Sequence, residues 1–178
     1  MIERKYLVHY LKVPKVINPN ASGDNIFSEF VWVRIGQHLE NFAENLNPQV
    51  DVRKNIWGYQ RPIHNGYQVS SDVDTFYATK NSEDNDYYLY QYVEAIALHR
   101  WQGDQCQTER IEALVSADVN SATVAVDWAW KEDCYVVPNS LGGDTSGVQV
   151  PFTITNLGNR EEVTDKVAFA NGSCTLAS

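Results

Sequence analysis

Trp128 to Arg160 reads WAWKEDCYVVPNSLGGDTSGVQVPFTITNLGNR, and its patterning decides the fold class. Trp128 and Trp130 alternate with Ala129 and Lys131. Tyr135-Val136-Val137 follows, and Val148 to Ile154 closes the stretch. Between these runs lies Gly142-Gly143-Asp144-Thr145-Ser146-Gly147. Period-two alternation folded about a Gly-Asp turn marks a β-hairpin and therefore antiparallel sheet. The glycine run also has the look of a phosphate loop. No Lys-Ser/Thr pair follows it, and a strand rather than a helix comes next, so a hairpin turn is expected.

Working outward, Lys5 to Lys12 predicts a first strand with Leu7, His9 and Leu11 on one face and Tyr6, Val8 and Tyr10 on the other. Apolar groups on both faces imply cover on both sides. Val13 to Asp24 holds Pro14, Asn18, Pro19, Asn20, Ser22 and Gly23 and reads as a loop. Phe27 to Ile35 predicts a second strand ended by Gly36. Gln37 to Asn45 predicts one helical turn or an irregular turn, stopped by Asn47-Pro48. Val50, Val52 and Asn55-Ile56 predict a third strand, Trp57 to Gly66 an aromatic and basic loop, and Tyr67 to Asp74 a fourth strand. One helix is expected from near Ser82, capped by Asp84 or Asp86. It carries an apolar stripe of Leu89, Tyr92, Val93, Ile96 and Ala97 to about His99, of which Leu89, Val93 and Ile96 are its structural core. Glu109 to Ala117 suits helix or strand by period, and the hairpin context favours strand. Ala122 to Lys131 and Val148 to Leu157 are further strands. Strands, one helix, then strands predict a mainly-β architecture: an antiparallel sandwich or open barrel with one flanking helix. The domain spans residues 1–165, with extended loops at 13–26 and 57–66. Residues 166–178 read as a C-terminal arm, ordered only against a neighbour.

Composition narrows the function classes. The 178 residues carry a net charge of −9, which argues against a surface built to grip phosphates. Ten Tyr and five Trp suit sheets and buried interfaces. Cys106, Cys134 and Cys174 are odd in number and widely spaced, so reduced thiols are expected rather than a zinc site or disulfide scaffold. The start, Met1 to Tyr6, lacks the features of a signal peptide, and no apolar run reaches a membrane span. A soluble chain made in a cytoplasm is expected, with no membrane partner.

Catalytic and metal patterns are weak throughout. His9, His38, His64 and His99 are scattered, with no Cys, Asp or Glu at ligand spacing. Serines near acids, at Ser70-Ser71-Asp72 and Ser116-Ala117-Asp118, sit in no nucleophile elbow. Asp72, Asp74, Glu83, Asp84 and Asp86 lack the glycine and closing glutamate of a calcium loop. No catalytic residue, metal or cofactor is therefore expected. Trp57, Tyr59 and Tyr67 have the chemistry to stack on sugars or bases; packing between subunits or within the loop is the preferred reading.

Four places carry a family resemblance. They are Arg4 to Tyr10; Trp32-Val33-Arg34-Ile35-Gly36 with Asn47-Pro48, Lys54 to Gly58 and Asn65-Gly66-Tyr67; Val73 to Ala78; and Asp133 to Arg160, with Gly143 to Gly147 and Gly158-Asn159-Arg160. In this order and spacing, from about residue 4 to 165, the chain resembles a major tail tube protein of a long-tailed (siphovirus-like) bacteriophage. The loop at Pro14 to Asp24 and the tail after Thr164 depart from the pattern.

The resemblance implies a β-sandwich with a flanking helix, assembled as stacked, usually hexameric rings into a tail tube through which double-stranded DNA passes. It implies no catalytic residues and no cofactor. Its partners are copies of itself and other tail proteins: tape measure, terminator and baseplate. Its place is the virion tail, after synthesis in the bacterial cytoplasm. Acids lining such a channel would repel phosphates. The expected contacts between rings and subunits are Trp57, Tyr59, Arg61, Pro62, His64 and Tyr67. Competing readings are a single-ring terminator or baseplate component, a secreted carbohydrate-binding sandwich and, least supported by the residues, an enzyme.

Overall fold

The computed structural model describes residues 1–178. It is mainly β, with one antiparallel sheet and a single α-helix, as the alternation predicts. The strands are β1 (Leu7–Ile17), β2 (Phe27–Arg34), β3 (Pro48–Lys54), β4 (Gln60–Tyr67), β5 (Ser70–Val73), β6 (Gln107–Val115), β7 (Val126–Pro138), β8 (Gly142–Asp144), β9 (Gly147–Gln149), β10 (Phe152–Asn156), β11 (Glu161–Glu162), β12 (Val167–Ala170) and β13 (Ser173–Leu176); α1 spans Tyr87–His99. The main sheet runs β2-β1-β6-β7-β10-β5, with β11 added to β7. The pairs β3-β4, β8-β9 and β12-β13 stand as separate two-stranded hairpins.

The first strand explains the layering. Leu11 and Val13 point to one face and pack with Leu89, Tyr92, Val93 and Ile96 of α1. Val8 and Tyr10 point to the other and pack with Val167, Phe169 and Cys174 of the β12-β13 hairpin. The sheet is thus covered by a helix on one face and by a hairpin on the other, and β1 is buried on both sides as its composition requires.

Several boundaries differ from the sequence reading, each for a local reason. Residues 13–17 are strand, not loop. Because β6 pairs with β1 only over Leu7–Leu11, Pro14 lies where β1 has a single neighbour, and the missing N–H interrupts no second ladder. The turn shrinks to residues 18–26, closed by Asn18 N donating to Ile26 O at 2.8 Å. The expected loop 57–66 is mostly strand β4, and Tyr67 ends it rather than opening the next strand. Asn55-Ile56 belongs to the turn, not to β3. Residues 37–45 take the irregular turn, one of the two expected forms, with Leu39 N donating to Gly36 O at 3.1 Å. The helix starts at Tyr87 rather than Ser82. Before it, Asn81 Oδ1 and Asp84 Oδ1 accept from Glu83 N and Asp86 N, holding the backbone in turns. β7 starts at Val126 rather than Ala122 and continues to Pro138. The run 148–157 breaks at Val150-Pro151 into β9 and β10.

The C-terminal expectation is overturned more fully. Residues 166–178 are no free arm: β12 and β13 pair over Val167–Leu176, and Phe169 lies 5.4 Å, centroid to centroid, from the Tyr10 ring. Small residues such as Ala168, Ala170 and Gly172 hid this strand pair. Val167, Phe169 and Cys174 are the residues that face the sheet, Ala168 is exposed, and Tyr10 Oη donates to Gly172 O at 3.3 Å.

Candidate functional site

The β3-β4 hairpin is the part of the molecule with no structural role in the core. Residues 48–67 are exposed throughout apart from half-buried Gly66. Seven paired residues at about 3.4 Å each give a projection of about 25 Å. Its turn is held by Asn55, whose Oδ1 accepts from both Trp57 N and Tyr59 N at 3.0 Å, and whose O accepts from Gly58 N at 3.0 Å. Gly58 sits at φ +83°, which a side chain would resist. This turn places Ile56 (95% exposed), Trp57 (78%) and Tyr59 (70%) at the tip.

Register sorts the hairpin's two faces. Val50 lies opposite His64 and Val52 opposite Pro62, giving an apolar stripe that runs on to Tyr67, whose ring meets His64 edge-on at 4.7 Å. On the other face Asp51 lies opposite Ile63, and Arg53 opposite Arg61. Like charges directly across a strand pair are destabilising, and a two-stranded ribbon alone is marginal in water. Arg53, Lys54 and Arg61 against Asp51 give residues 48–67 a net charge of +2; the other residues, 11 basic and 22 acidic, sum to −11. A basic, apolar-tipped hairpin on an acidic body has the complementarity for a carboxylate-bearing protein surface.

Trp57, Tyr59, Arg61, Pro62, His64 and Tyr67 all fall on this one hairpin. Sequence reasoning missed Val50, Val52, Ile56, Ile63 and Arg53 as members of the same surface. The signal was the alternation of Val50 and Val52 with Asp51 and Arg53, which matched strand geometry without revealing that neither face is covered. Leu89, Val93 and Ile96 are buried in α1 and pack on the sheet, as expected for a structural helix.

The hairpin's root is clipped to the sheet. Asn45 and Ser70 exchange backbone hydrogen bonds at 2.8 and 3.0 Å. Asn47 Nδ2 donates to Gln68 O at 3.0 Å and to Ser70 Oγ at 3.2 Å. Beneath this root lies a charged cluster on the helix-side face of the sheet, with buried Arg110 at its inner end and exposed Arg160 at its outer end. Arg110 is 2% exposed and donates from Nη1 to Ser71 Oγ and Asn156 Oδ1, each at 3.1 Å, and from Nη2 to His9 Nδ1 at 3.2 Å. Burial, then the Arg110 charge, hold the His9 imidazole well below its ordinary range, so the ring is neutral. Glu44 approaches Arg110 at 3.7 Å and Arg160 at 3.6 Å, and Glu112 approaches Arg160 at 3.4 Å.

Two surface clefts stand out by volume among several. One of about 650 Å³ is rimmed by Arg4, Arg34, Glu40 and Glu83. One of about 720 Å³ lies beside Ile96, Trp101, Tyr135 and Leu141. Neither aligns a nucleophile with a base; the only side chain hydrogen-bonded to a histidine ring is that of Arg110. No three His, Cys, Asp or Glu side chains converge as metal ligands, and no helix is long and apolar enough to cross a membrane. Cys106, Cys134 and Cys174 are free and buried. No protein-family model matches the chain, and no curated protein matches it.

Proposed function

We propose that this chain is a structural subunit that polymerises with copies of itself, and that the polymer is the tail tube of a long-tailed bacteriophage. The observation that carries the self-assembly reading is the exposed β3-β4 hairpin, whose apolar tip and opposed arginines are costly without a partner. A hairpin on one copy meeting a different surface on the next is a heterologous contact, and such contacts close into rings or extend as filaments. Hexameric rings stacked through Trp57, Tyr59, Arg61, Pro62, His64 and Tyr67 satisfy both. The tail-tube identity rests on the sequence resemblance, and the acidic body suits a channel that passes DNA without binding it. The site is non-enzymatic, with no cofactor, and its further partners are other tail proteins.

Negative-stain electron microscopy of the purified chain at rising concentration tests this. Long hollow tubes are expected, and Trp57→Ala is expected to shorten or abolish them while the monomer stays folded. Isolated rings in place of tubes would assign the chain to a terminator or baseplate role instead. Monomers at every concentration, together with glycan binding, would replace the reading with a carbohydrate-binding one.

A further inference from the structure

The charged cluster under the hairpin root is unbalanced. Two guanidinium groups, Arg110 and Arg160, face three carboxyls, Glu44, Glu112 and Glu132. Glu132 is already satisfied, accepting from Asn156 Nδ2 at 2.6 Å and Gly158 N at 3.0 Å. Glu44 and Glu112 converge on one guanidinium, Glu44 Oε1 3.6 Å from Arg160 Nη1 and Glu112 Oε2 3.4 Å from Arg160 Nη2, with side chains 9% and 14% exposed. Glu44 Oε1 is buried and receives no hydrogen bond from any N–H or hydroxyl in the molecule. The cation nearest that oxygen is Arg160 Nη1 at 3.6 Å, and one proton on Glu112 would bring the cluster to neutrality.

We propose that a single proton on Glu112, beside Glu44 at the Arg160 guanidinium, locks the root of the β3-β4 hairpin, and that its loss releases the connection from Gly36 to Asn47. The asymmetry follows from the elements involved. Glu112 lies in mid-strand, with β1 on one side and β7 on the other, opposite His9 and Trp130. Glu44 lies on an irregular connection, one residue before the Asn45–Ser70 clip. When Glu112 ionises, two carboxylates oppose each other in a site that water barely reaches, and the segment carrying Glu44 is the one free to move.

Every charged or titratable group facing the pair is accounted for. From β6 there is Arg110, and from β1 His9, which stays neutral. From β7 there is Glu132. From the segment after β10 there is Arg160, held over the Trp130 ring at 4.9 Å. Arg4 reaches the same connection by donating to Phe42 O at 2.9 Å. Burial and the neighbouring Glu44 push Glu112 up to about 7, against an ordinary 4.5. The switch therefore works across neutral pH.

Amide hydrogen exchange on the monomer, corrected for intrinsic rates, tests the switch. Opening linked to a carboxyl shifted from 4.5 to about 7 gains about tenfold between pH 6 and pH 8. Protection at Asn45 and Ser70 is expected to fall by that factor, while Ile154 and Val136 in the β7-β10 ladder hold. Glu112→Gln keeps the neutral form without the titration and is expected to flatten the profile. Glu44→Gln, which removes the opposed charge from the other side, is expected to do the same. Equal protection of the wild type at both pH values overturns the proposal, as does a tenfold fall that survives in both variants. The consequence for polymerisation rests on the hairpin reading above. Exchange that switches in a chain that never polymerises leaves the lock standing and sinks that reading; tubes from a chain with flat exchange do the reverse.

Discussion

Phe169→Ala separates a docked C-terminal hairpin from a loose arm. Phe169 is 2% exposed, lies across β12-β13 from Cys174, and meets Tyr10 at 5.4 Å. Around it are Val8, Ile111, Ala113, Ala129 and Val163, all buried on the same side of the sheet. Truncating a phenylalanine in such a setting costs about 3–5 kcal/mol, from lost transfer energy plus the cavity left behind. A domain of this size is stable by about 5–15 kcal/mol, so the loss is a large fraction of the whole. At about 2–4 °C per kcal/mol, the melting temperature falls by roughly 6–20 °C. Urea unfolding of the monomer followed by far-UV circular dichroism reads this directly. Trp57→Ala is the internal control: its side chain is 78% exposed, so its monomer midpoint moves by no more than about 0.5 kcal/mol. A Phe169→Ala midpoint equal to that of the wild type refutes the packing argument and restores the picture of an arm ordered only by a neighbour.

Three further outcomes are expected. For Glu112, whose carboxyl is raised from 4.5 to about 7, the folded state holds the extra proton, so its contribution is complete below pH 4.5 and is lost as pH rises through 7. The stability gap between wild type and Glu112→Gln should change by at most about 1.4 kcal/mol per pH unit inside that window and level off above it, measured by urea titration at several pH values; an unchanging gap contradicts the buried pair. The thiols of Cys134 and Cys174, each pushed up to about 12 by burial, and of buried Cys106 should be silent to a thiol-reactive chromogen in the native protein and all three react after denaturation without reductant; fewer than three would reveal a disulfide. Gly143→Ala drives a methyl into Gly147 O and to 2.9 Å from Val148 Cα, both backbone atoms, so the β8-β9 hairpin must open. Exchange should then quicken at Ala78, which donates to Val148 O, and not in β10; unaltered exchange at Ala78 would show that the turn adjusts at no cost.

Alternation revealed the strands that have a wet side or a bracketing turn, and it failed where local chemistry and tertiary cover disagreed. β1 and α1 are readable because their apolar spacing matches their burial, whereas β6 suits helix or strand by period and is placed by its hairpin context. Pro14 misled because a proline signals a break, whereas the neighbouring strand simply ends before it. Ala168, Ala170 and Gly172 misled in the opposite direction: small residues suggest a tail until Val167, Phe169 and Cys174 among them are seen to pack on the sheet. The hairpin was half legible. Its aromatic and basic residues stand out in 57–67, but Val50 and Val52 look like ordinary core residues until both faces of β3 prove bare. The charged cluster was not legible at all, because Glu44, Arg110, Glu112 and Arg160 come together only through β-sheet register and one connection that crosses it.

The charge division gives the assembly reading a signature in salt. Copies with a net charge of −9 repel one another, and at 0.01 M ionic strength that repulsion reaches about 30 Å, beyond the projection of the hairpin. At 0.1 M the reach is about 10 Å, so approach becomes feasible while Arg53 and Arg61 still attract carboxylates at contact. At 1 M the reach is about 3 Å; exposed ion pairs are then weak, and only the apolar tip of Ile56, Trp57 and Tyr59 remains. Association should therefore pass through a maximum at intermediate salt, read by sedimentation velocity at fixed concentration. Arg61→Glu should lower that maximum and approach the wild type at 1 M, because screening removes what the substitution changed. Trp57→Ala should lie below the wild type at every salt, because screening leaves apolar contact intact. Association that falls steadily from 0.01 M upward would mean that attraction between the basic hairpin and acidic surfaces outweighs both the overall repulsion and the apolar contact, and the role given to the tip would not survive it.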